Sequence, residues 1–129
     1  MIALRGLDGR LRANAEVAMQ LAQQYRVPVT VTSVRRTIEQ QARLRANYEL
    51  CQQRGVFPSD KSFTPGMTCK YPANRPGDSA HNYGLAWDSW VPDGYWELWN
   101  AIREYCGFRL DPNDRVHAEV PSWREVVGA

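Results

Sequence analysis

The sequence contains two histidines, and each lies close to acidic residues in a short apolar stretch. His81 precedes Asp88 by seven residues within SAHNYGLAWDSWV, residues 79–91, and His117 lies in a second apolar stretch nearer the C-terminus. Neutral imidazole and carboxylate groups are ligands that suit Zn²⁺, and three of them leave the fourth tetrahedral position open for water. His81, Asp88 and His117 are therefore candidate metal ligands.

A catalytic metal site also needs a group that takes a proton from water and returns it to the leaving amine. Asp114 lies three residues before His117, at the end of the turn-forming sequence DPND, and can approach the histidine from there. Glu119 shares the face of His117 by the two-residue period of a strand. We therefore expect Asp114 to be the base, while Glu119 is either the alternative base or a residue that orients His117.

A strand predicted over residues 84–91 accounts for a carboxylate within an apolar run. Strand alternation gives Asp88 the same face as Gly84 and Ala86, whose small side chains leave room above the sheet. His81 can fold back over that space from the preceding loop, and a cation there would neutralise Asp88. The alternative is a hydrogen bond between His81 and Asp88 at a loop end, without a metal.

Helical and strand periodicities predict an α+β fold, in which a small antiparallel sheet has helices packed on it, as one domain over residues 1–129. The predicted helices and strands alternate in the chain order 7–25 (helix), 27–34 (strand), 37–54 (helix), 84–91 (strand), 93–106 (helix) and 115–120 (strand). Residues 55–83 are rich in glycine and proline and predict a long loop. A loop of this length in a small domain is usually functional, so we expect it to form a wall or lid over the site.

Composition argues against several classes of protein. The net charge is only +2, and the arginines of the basic first half are not interleaved with aromatic residues, so we expect no nucleic-acid partner. No run of about 18 apolar residues and no apolar signal core is present, so we expect neither membrane insertion nor signal-dependent export. Cys51 and Cys69 flank the long loop and could form a disulfide, although free thiols are equally compatible with the sequence.

Three segments resemble the M15 zinc peptidases, which include D-alanyl-D-alanine carboxypeptidases and phage L-alanyl-D-glutamate endolysins. SAHNYGLAWD is similar to the family signature SxHxxGxAxD, and DRVH is similar to its second motif, an acid three residues before the last zinc histidine. TSVRRTIEQQ resembles the upstream segment (S/E)-G-x-R-(S/T)-x-x-x-Q and places Arg36, Thr37 and Gln41 on that pattern. The resemblance covers about residues 10–120, with the three segments in the family's order.

The resemblance implies a fold like that of hedgehog proteins and D,D-peptidases, with Zn²⁺ as the cofactor. It implies that His81, Asp88 and His117 bind zinc and that Asp114 is the general base. Arg36 would contact the substrate or the developing oxyanion, although a solvated arginine or a structural ion pair is as compatible with the sequence. Ser79 would bind substrate or cap a turn.

Details of the motifs indicate which branch of the family the sequence resembles and where it departs from the family pattern. An aspartate instead of a glutamate at position 114, together with the sequence HNYG, resembles the endolysin branch. Val34 replaces the usual glycine before the arginine motif, and the segment between the third helix and His117 is short. We therefore expect a substrate cleft that differs from that of other members.

Together these features predict a zinc-dependent peptidase that hydrolyses an amide bond in the stem peptide of bacterial peptidoglycan. We expect it to act as a monomer and to remain cytoplasmic until a holin releases it to the cell wall. The bond that is cleaved stays open. The alternatives are a catalytically silent module on the same fold that binds the cell wall or a protein partner, and a structural component of a virion.

Overall fold

In the computed structural model, helices pack against an antiparallel sheet. The structure describes residues 4–128. Residues 1–3 and 129, the ends of the predicted domain, lie outside the described residues. A short 3-10 helix, Ala80–Tyr83, precedes the second strand. The helices and strands are α1 (Gly9–Gln24), β1 (Thr30–Ser33), α2 (Ile38–Gln53), β2 (Ala86–Trp90), α3 (Trp96–Tyr105), β3 (Arg109–Asp111), β4 (Asp114–Glu119) and α4 (Trp123–Val126).

The sheet has the strand order β1-β2-β4-β3, and each strand is antiparallel to its neighbours. Its two central strands carry the candidate ligands. Asp88 on β2 lies directly opposite His117 on β4, and Ala86 lies opposite Glu119. Because residues paired in this way project to the same face, the sheet register brings Asp88 and His117 together. The predicted α+β class, with a small antiparallel sheet, is confirmed.

One face of the sheet forms the hydrophobic core. Trp87, Ser89 and Val91 are fully buried, and the indole Nε1 of Trp99 on α3 donates to the hydroxyl of Ser89 over 2.9 Å. The Trp87 and Trp99 rings meet edge to face at 5.9 Å between centroids. Alanines of α1 join the same cluster: Ala15, Ala18 and Ala22. Since alternate residues of a strand face opposite ways, this packing directs Asp88 away from the core.

Helix α2 holds the long loop that the sequence predicts. The helix begins after Thr37, whose hydroxyl accepts from the backbone of Gln40 while the Gln40 side chain accepts from Thr37 N–H, a capping box. From the buried side of α2, the Gln41 amide donates to the carbonyl of Asn74 over 2.7 Å. A disulfide between Cys51 and Cys69 ties the helix to the loop a second time. The loop is therefore fixed to the body of the protein.

Two short elements differ from the sequence prediction. β3 has three residues and pairs with β4, so the DPND turn closes a hairpin instead of only leading into a strand. α4 has four residues and begins two residues after Pro121, with Ser122 at its N-cap. Neither element is long enough to show a helical or alternating pattern of its own, and both are fixed by contacts with the rest of the fold. Within residues 4–128, none of the helices has the length and apolar character that crossing a bilayer requires.

Candidate metal centre

Three side chains from separate parts of the chain converge on one point. His81 Nε2 lies 3.1 Å from Asp88 Oδ1 and 3.2 Å from His117 Nδ1. The third side of the triangle, from His117 Nδ1 to Asp88 Oδ1, is 3.3 Å. His81 is buried, and the Asp88 and His117 side chains are 15% and 14% exposed. The structure therefore brings the predicted ligand atoms together in a shielded position.

His81 is presented by the 3-10 helix that starts after Ser79. The Ser79 hydroxyl accepts from the backbone N–H of His81, so it caps this turn. The imidazole Nδ1 lies 3.2 Å from the carbonyl oxygen of Val34, at the end of β1. A carbonyl can only accept, so this contact places a proton on Nδ1 and leaves Nε2 as the nitrogen that faces Asp88 and His117.

His117 is oriented by a carboxylate of its own strand. Its Nε2 lies 2.7 Å from Glu119 Oε1, and because the two residues are two apart on β4 they share a face of the sheet. This contact leaves Nδ1 to face Asp88 and His81. Of the two roles that the sequence leaves open for Glu119, the geometry places it where it can orient the histidine.

Gly84 corrects one part of the predicted arrangement. The residue precedes β2, has φ +70°, and caps the 3-10 helix. A Cβ at Gly84 would lie 2.9 Å from the Asp8 nitrogen and from the Gly6 carbonyl oxygen. The expectation that Gly84 leaves open space beside Asp88 is therefore wrong, since the N-terminal segment fills that space. Glycine is required here because the chain turns and touches backbone at the same point.

The charges of the cluster stabilise one another. Burial raises the pKa of Asp88, but hydrogen bonds from His117 and His81 outweigh this effect and hold the pKa well below its usual range. Burial likewise lowers the pKa of His117, whereas its contacts with Asp88 and Glu119 raise it, with a net value of about 9. Without a metal, the proton on His117 balances the charge of Asp88, and a metal ion would have to take the place of that proton.

The donor set fits a zinc ion. Zinc binds imidazole nitrogen and carboxylate oxygen at about 2.0 Å, so ligand atoms in a tetrahedral site lie about 3.3 Å apart. The three measured separations are 3.1, 3.2 and 3.3 Å. The far nitrogen of each imidazole is held by Val34 or Glu119, as is usual for histidines that bind metal. These residues could therefore hold a metal ion.

Asp114 lies near the cluster without contacting it. It is the exposed first residue of β4, and in the described part of the chain its carboxylate makes no hydrogen bond. Partial burial and the negative charge of Asp88 raise its pKa, while the positive charge of His117 lowers it. Asp114 is therefore close enough to Asp88 and His117 for their charges to affect its pKa. Its role as a base stays a prediction.

Arg36 supports the histidine turn through its backbone. Its N–H donates to the His81 carbonyl over 3.1 Å, and its own carbonyl accepts from the Asn82 amide over 2.9 Å. The guanidinium donates to Gln41 over 3.0 Å and lines a surface pocket on the α2 side, beside Arg43. The structure thus gives Arg36 a role in holding His81, and its contact with a substrate stays a prediction.

A groove of about 340 Å³ opens beside the cluster. His117 and Glu119 line it from the sheet, Ser79 lines it from the loop, and α4 supplies Trp123. The long loop therefore forms part of the wall, as the sequence predicts.

Arg109 of β3 also lines the groove, and the sequence alone did not single it out because β3 was not predicted. The Val34 carbonyl was missed for a different reason, since a backbone atom leaves no signal in residue type.

Solved structures of bacterial peptidases share this architecture. The chain superposes on the vancomycin-resistance D,D-pentapeptidase VanY bound to Zn(II) with a TM-score of 0.57 and 19% identity, over 95% of this chain and 76% of that one. The LD-carboxypeptidase LdcB gives a TM-score of 0.61 at 16% identity, over 95% and 70% of the two chains. DacB from Streptococcus pneumoniae gives 0.55 at 18% identity, over 95% and 71%.

The sequence matches no protein-family model and no curated protein with significance. At identities this low, structural similarity establishes the fold and leaves the activity to be argued from the site. The predicted resemblance to the M15 zinc peptidases is confirmed at that level: the chain has the fold of VanY, LdcB and DacB.

Proposed function

We propose that this chain is a zinc-dependent peptidase that hydrolyses an amide bond in the stem peptide of bacterial peptidoglycan. The observation that carries the proposal is the triangle formed by His81 Nε2, Asp88 Oδ1 and His117 Nδ1, with sides of 3.1 to 3.3 Å, at the edge of a groove. A structural zinc site usually has four protein ligands, whereas a catalytic site has three and an open position. Three ligands beside a groove favour the catalytic type.

The three ligands would hold the ion, and the other residues would handle protons and charge. When bound, zinc supplies Lewis acidity, which polarises the scissile carbonyl and makes water more acidic. Asp114 would accept a proton from water and pass it to the leaving amine. Its raised pKa suits this task, because a carboxylate that binds a proton more readily is a better base. Glu119 would keep His117 oriented throughout.

The choice of substrate is supported by the resemblance and by the fold neighbours. VanYB has been solved in complex with D-alanine-D-alanine, and the LdcB structure describes peptidoglycan recognition. A groove of about 340 Å³ walled by a loop and by α4 has room for part of a peptide. Within the proposal, the aspartate at position 114 favours an endolysin-like enzyme of phage type, which a holin would release from the cytoplasm to the wall.

Mass spectrometry of muropeptides tests the proposal directly. Purified peptidoglycan is digested with the zinc-loaded protein, and the released fragments are weighed. Loss of one terminal D-alanine would identify a carboxypeptidase, whereas a cut between L-alanine and D-glutamate would identify an endolysin-like peptidase. We expect one of these products with zinc and none after treatment with a chelator.

Two variants serve as controls in the same digestion. Asp114→Asn removes the proposed base, and we expect it to abolish release of products. Asp93→Asn makes the same chemical change at an exposed position before α3, and we expect full activity. If the wild type releases no product with zinc present but still binds peptidoglycan, the chain is instead a binding module on this fold.

A further inference from the structure

An arginine lies fully buried behind the strand that carries His117. Arg103 is on α3, on the core side of the sheet, and its residue has 0% exposure. Burial lowers the pKa of its guanidinium to about 10, so it stays charged at neutral pH. Among the described residues no carboxylate lies within ion-pair distance of it. A buried charge without a direct partner is unfavourable, and its presence needs a physical reason.

The contacts of Arg103 show what the charge is used for. Nη2 donates to the side-chain oxygen of Asn100, one turn earlier on α3, over 2.5 Å and to the carbonyl of Arg115 over 2.9 Å. Nη1 donates to the carbonyl of Val116 over 3.3 Å. The guanidinium also lies beside the rings of Trp96 and Trp99, with distances of 6.0 and 5.5 Å to the ring centroids. The side chain thus joins α3 to two successive peptide groups of β4.

Those two peptide groups lie between the proposed base and a proposed ligand. Asp114 comes immediately before them and His117 immediately after them. Asp114 is exposed and follows the hairpin turn, where strand pairing alone holds a side chain loosely. A guanidinium fixed by two tryptophans is a rigid support for this part of the strand, because its donors have a planar geometry that fixes the positions of both carbonyls.

The positive charge of Arg103 also interacts with carboxylates of the candidate metal centre. The negative charges of Asp88, Glu104 and Asp114 act on the guanidinium and raise its pKa against the larger effect of burial, and two of these three carboxylates belong to the site. A methionine would fill a similar volume but would supply neither the charge nor the donors to the carbonyls of Arg115 and Val116. Packing alone therefore does not explain an arginine at this position.

We propose that Arg103 is a positioning residue for Asp114: it fixes the start of β4 so that the base faces the metal centre. The inference rests on the proposed function, and it adds a residue of α3 that does not itself touch substrate. In this role Arg103 affects the rate of hydrolysis and leaves the binding of metal and substrate nearly unchanged.

The role of Arg103 is tested by kcat and KM for the muropeptide that the wild type hydrolyses, together with the Kd for zinc. We expect Arg103→Met to lower kcat about 10- to 100-fold, because a displacement of a catalytic group by about 1 Å can cost about 100-fold, while KM and the Kd for zinc stay within about twofold. Arg103→Lys keeps the charge and should recover part of the loss. Arg12→Met is the matched control, since Arg12 also donates to backbone carbonyls, those of Arg5 and Leu7, and lies on α1. It should leave kcat unchanged.

A double-mutant cycle separates positioning of the base from a general structural effect. Asp114→Glu keeps a carboxylate but moves it, so it retains measurable activity. If Arg103 acts through Asp114, the combined variant loses less kcat than the product of the two single losses. Losses that multiply to within twofold overturn the proposal, and so does a tenfold weaker Kd for zinc in both Arg103 variants. Absence of hydrolysis by the wild type would instead overturn the proposed function itself.

Discussion

His117 and Glu119, two residues apart on β4, are joined by a 2.7 Å contact between imidazole Nε2 and a carboxylate oxygen. This contact selects which nitrogen of His117 faces Asp88. It also separates the roles of the two acids near the histidine, since Glu119 is occupied with orienting the ring while the carboxylate of Asp114 makes no hydrogen bond within residues 4–128. Variants of Glu119 and Asp114 should therefore differ in their effects on metal binding and on hydrolysis.

Replacing Glu119 should weaken metal binding more than catalysis. Loss of a carboxylate that orients a ligand histidine typically costs about 10- to 100-fold in metal affinity. We expect Glu119→Ala to show such a decrease in a zinc competition titration and to recover most of its hydrolysis at saturating zinc. Glu97→Ala, on the exposed start of α3, is the control. Hydrolysis that stays lost although zinc affinity is normal would make Glu119 the base.

Replacing a ligand histidine should remove zinc, whereas replacing the proposed base should leave zinc bound and remove hydrolysis. His81→Ala and His117→Ala remove one of three ligand atoms, so the purified proteins should contain no stoichiometric zinc by elemental analysis. Asp114→Ala should contain zinc as the wild type does and should lose about 10²- to 10⁴-fold in kcat, the usual contribution of a general base. Circular dichroism checks that each variant is folded. Stoichiometric zinc in either histidine variant would contradict the ligand assignment.

The stability of chelator-treated protein should decrease on the alkaline side. The pKa of His117 is raised from 6.5 to about 9, so its contribution is fully present below pH 6.5 and is lost as the pH rises to about 9. The pKa of Asp88 is lowered, so its contribution is present above pH 3.8 and is lost in stronger acid. The midpoint temperature of thermal unfolding, followed by circular dichroism, should therefore decrease as the pH rises from 6.5 to 9.

Zinc should reverse this dependence, because the metal binds the deprotonated imidazole and its affinity rises with pH. The increase in unfolding temperature on adding zinc should therefore grow from pH 6.5 to 9. His117→Gln, measured with chelator, should remove the alkaline loss. An unfolding temperature of the chelated wild type that is constant or rises over this range would show that the contacts of His117 do not stabilise its protonated form.

Breaking the Cys51–Cys69 disulfide should destabilise the protein. The bond closes a segment between positions 18 residues apart, and a loop of this size corresponds to about 3 kcal/mol in the free energy of unfolding. Cys51→Ala/Cys69→Ala should show this decrease in urea denaturation, and a reducing agent should give a similar decrease in the wild type but none in this double variant. Cys106→Ala should keep the sensitivity to reductant, because Cys106 is the free thiol. Equal stability with and without reductant would contradict the pairing.

The sequence was most informative where chemistry restricts residue type. With only two histidines available, the ligand set could be predicted from His81, Asp88 and His117 before any contact was known. The helix boundaries were also predictable within a few residues, since Thr37 caps α2 and glycine follows its end. Gly84 was identified through the motif, but its reason was not, because contact with the segment around Asp8 is remote in sequence.

Arg36 shows what a motif leaves out. Its position in the family pattern predicts a substrate contact, which stays a prediction, and the structure adds that its backbone holds the His81 turn while its guanidinium donates to Gln41. Cys51 and Cys69 show a similar limit, since the sequence allows either thiols or a disulfide. Only the spacing of 5.5 Å between their Cα atoms, set by how the loop returns to α2, decides for the disulfide.

The sequence by itself determined the donor types of this protein, the α+β class and the position of the long loop, because residue chemistry and periodicity are local properties. The tertiary structure decided which atoms meet. The register that pairs Asp88 with His117, the tautomer that the Val34 carbonyl gives His81, and the support of β4 by Arg103 all depend on contacts between distant segments. Such contacts follow from how strands pair and helices pack, which no single stretch of residues specifies.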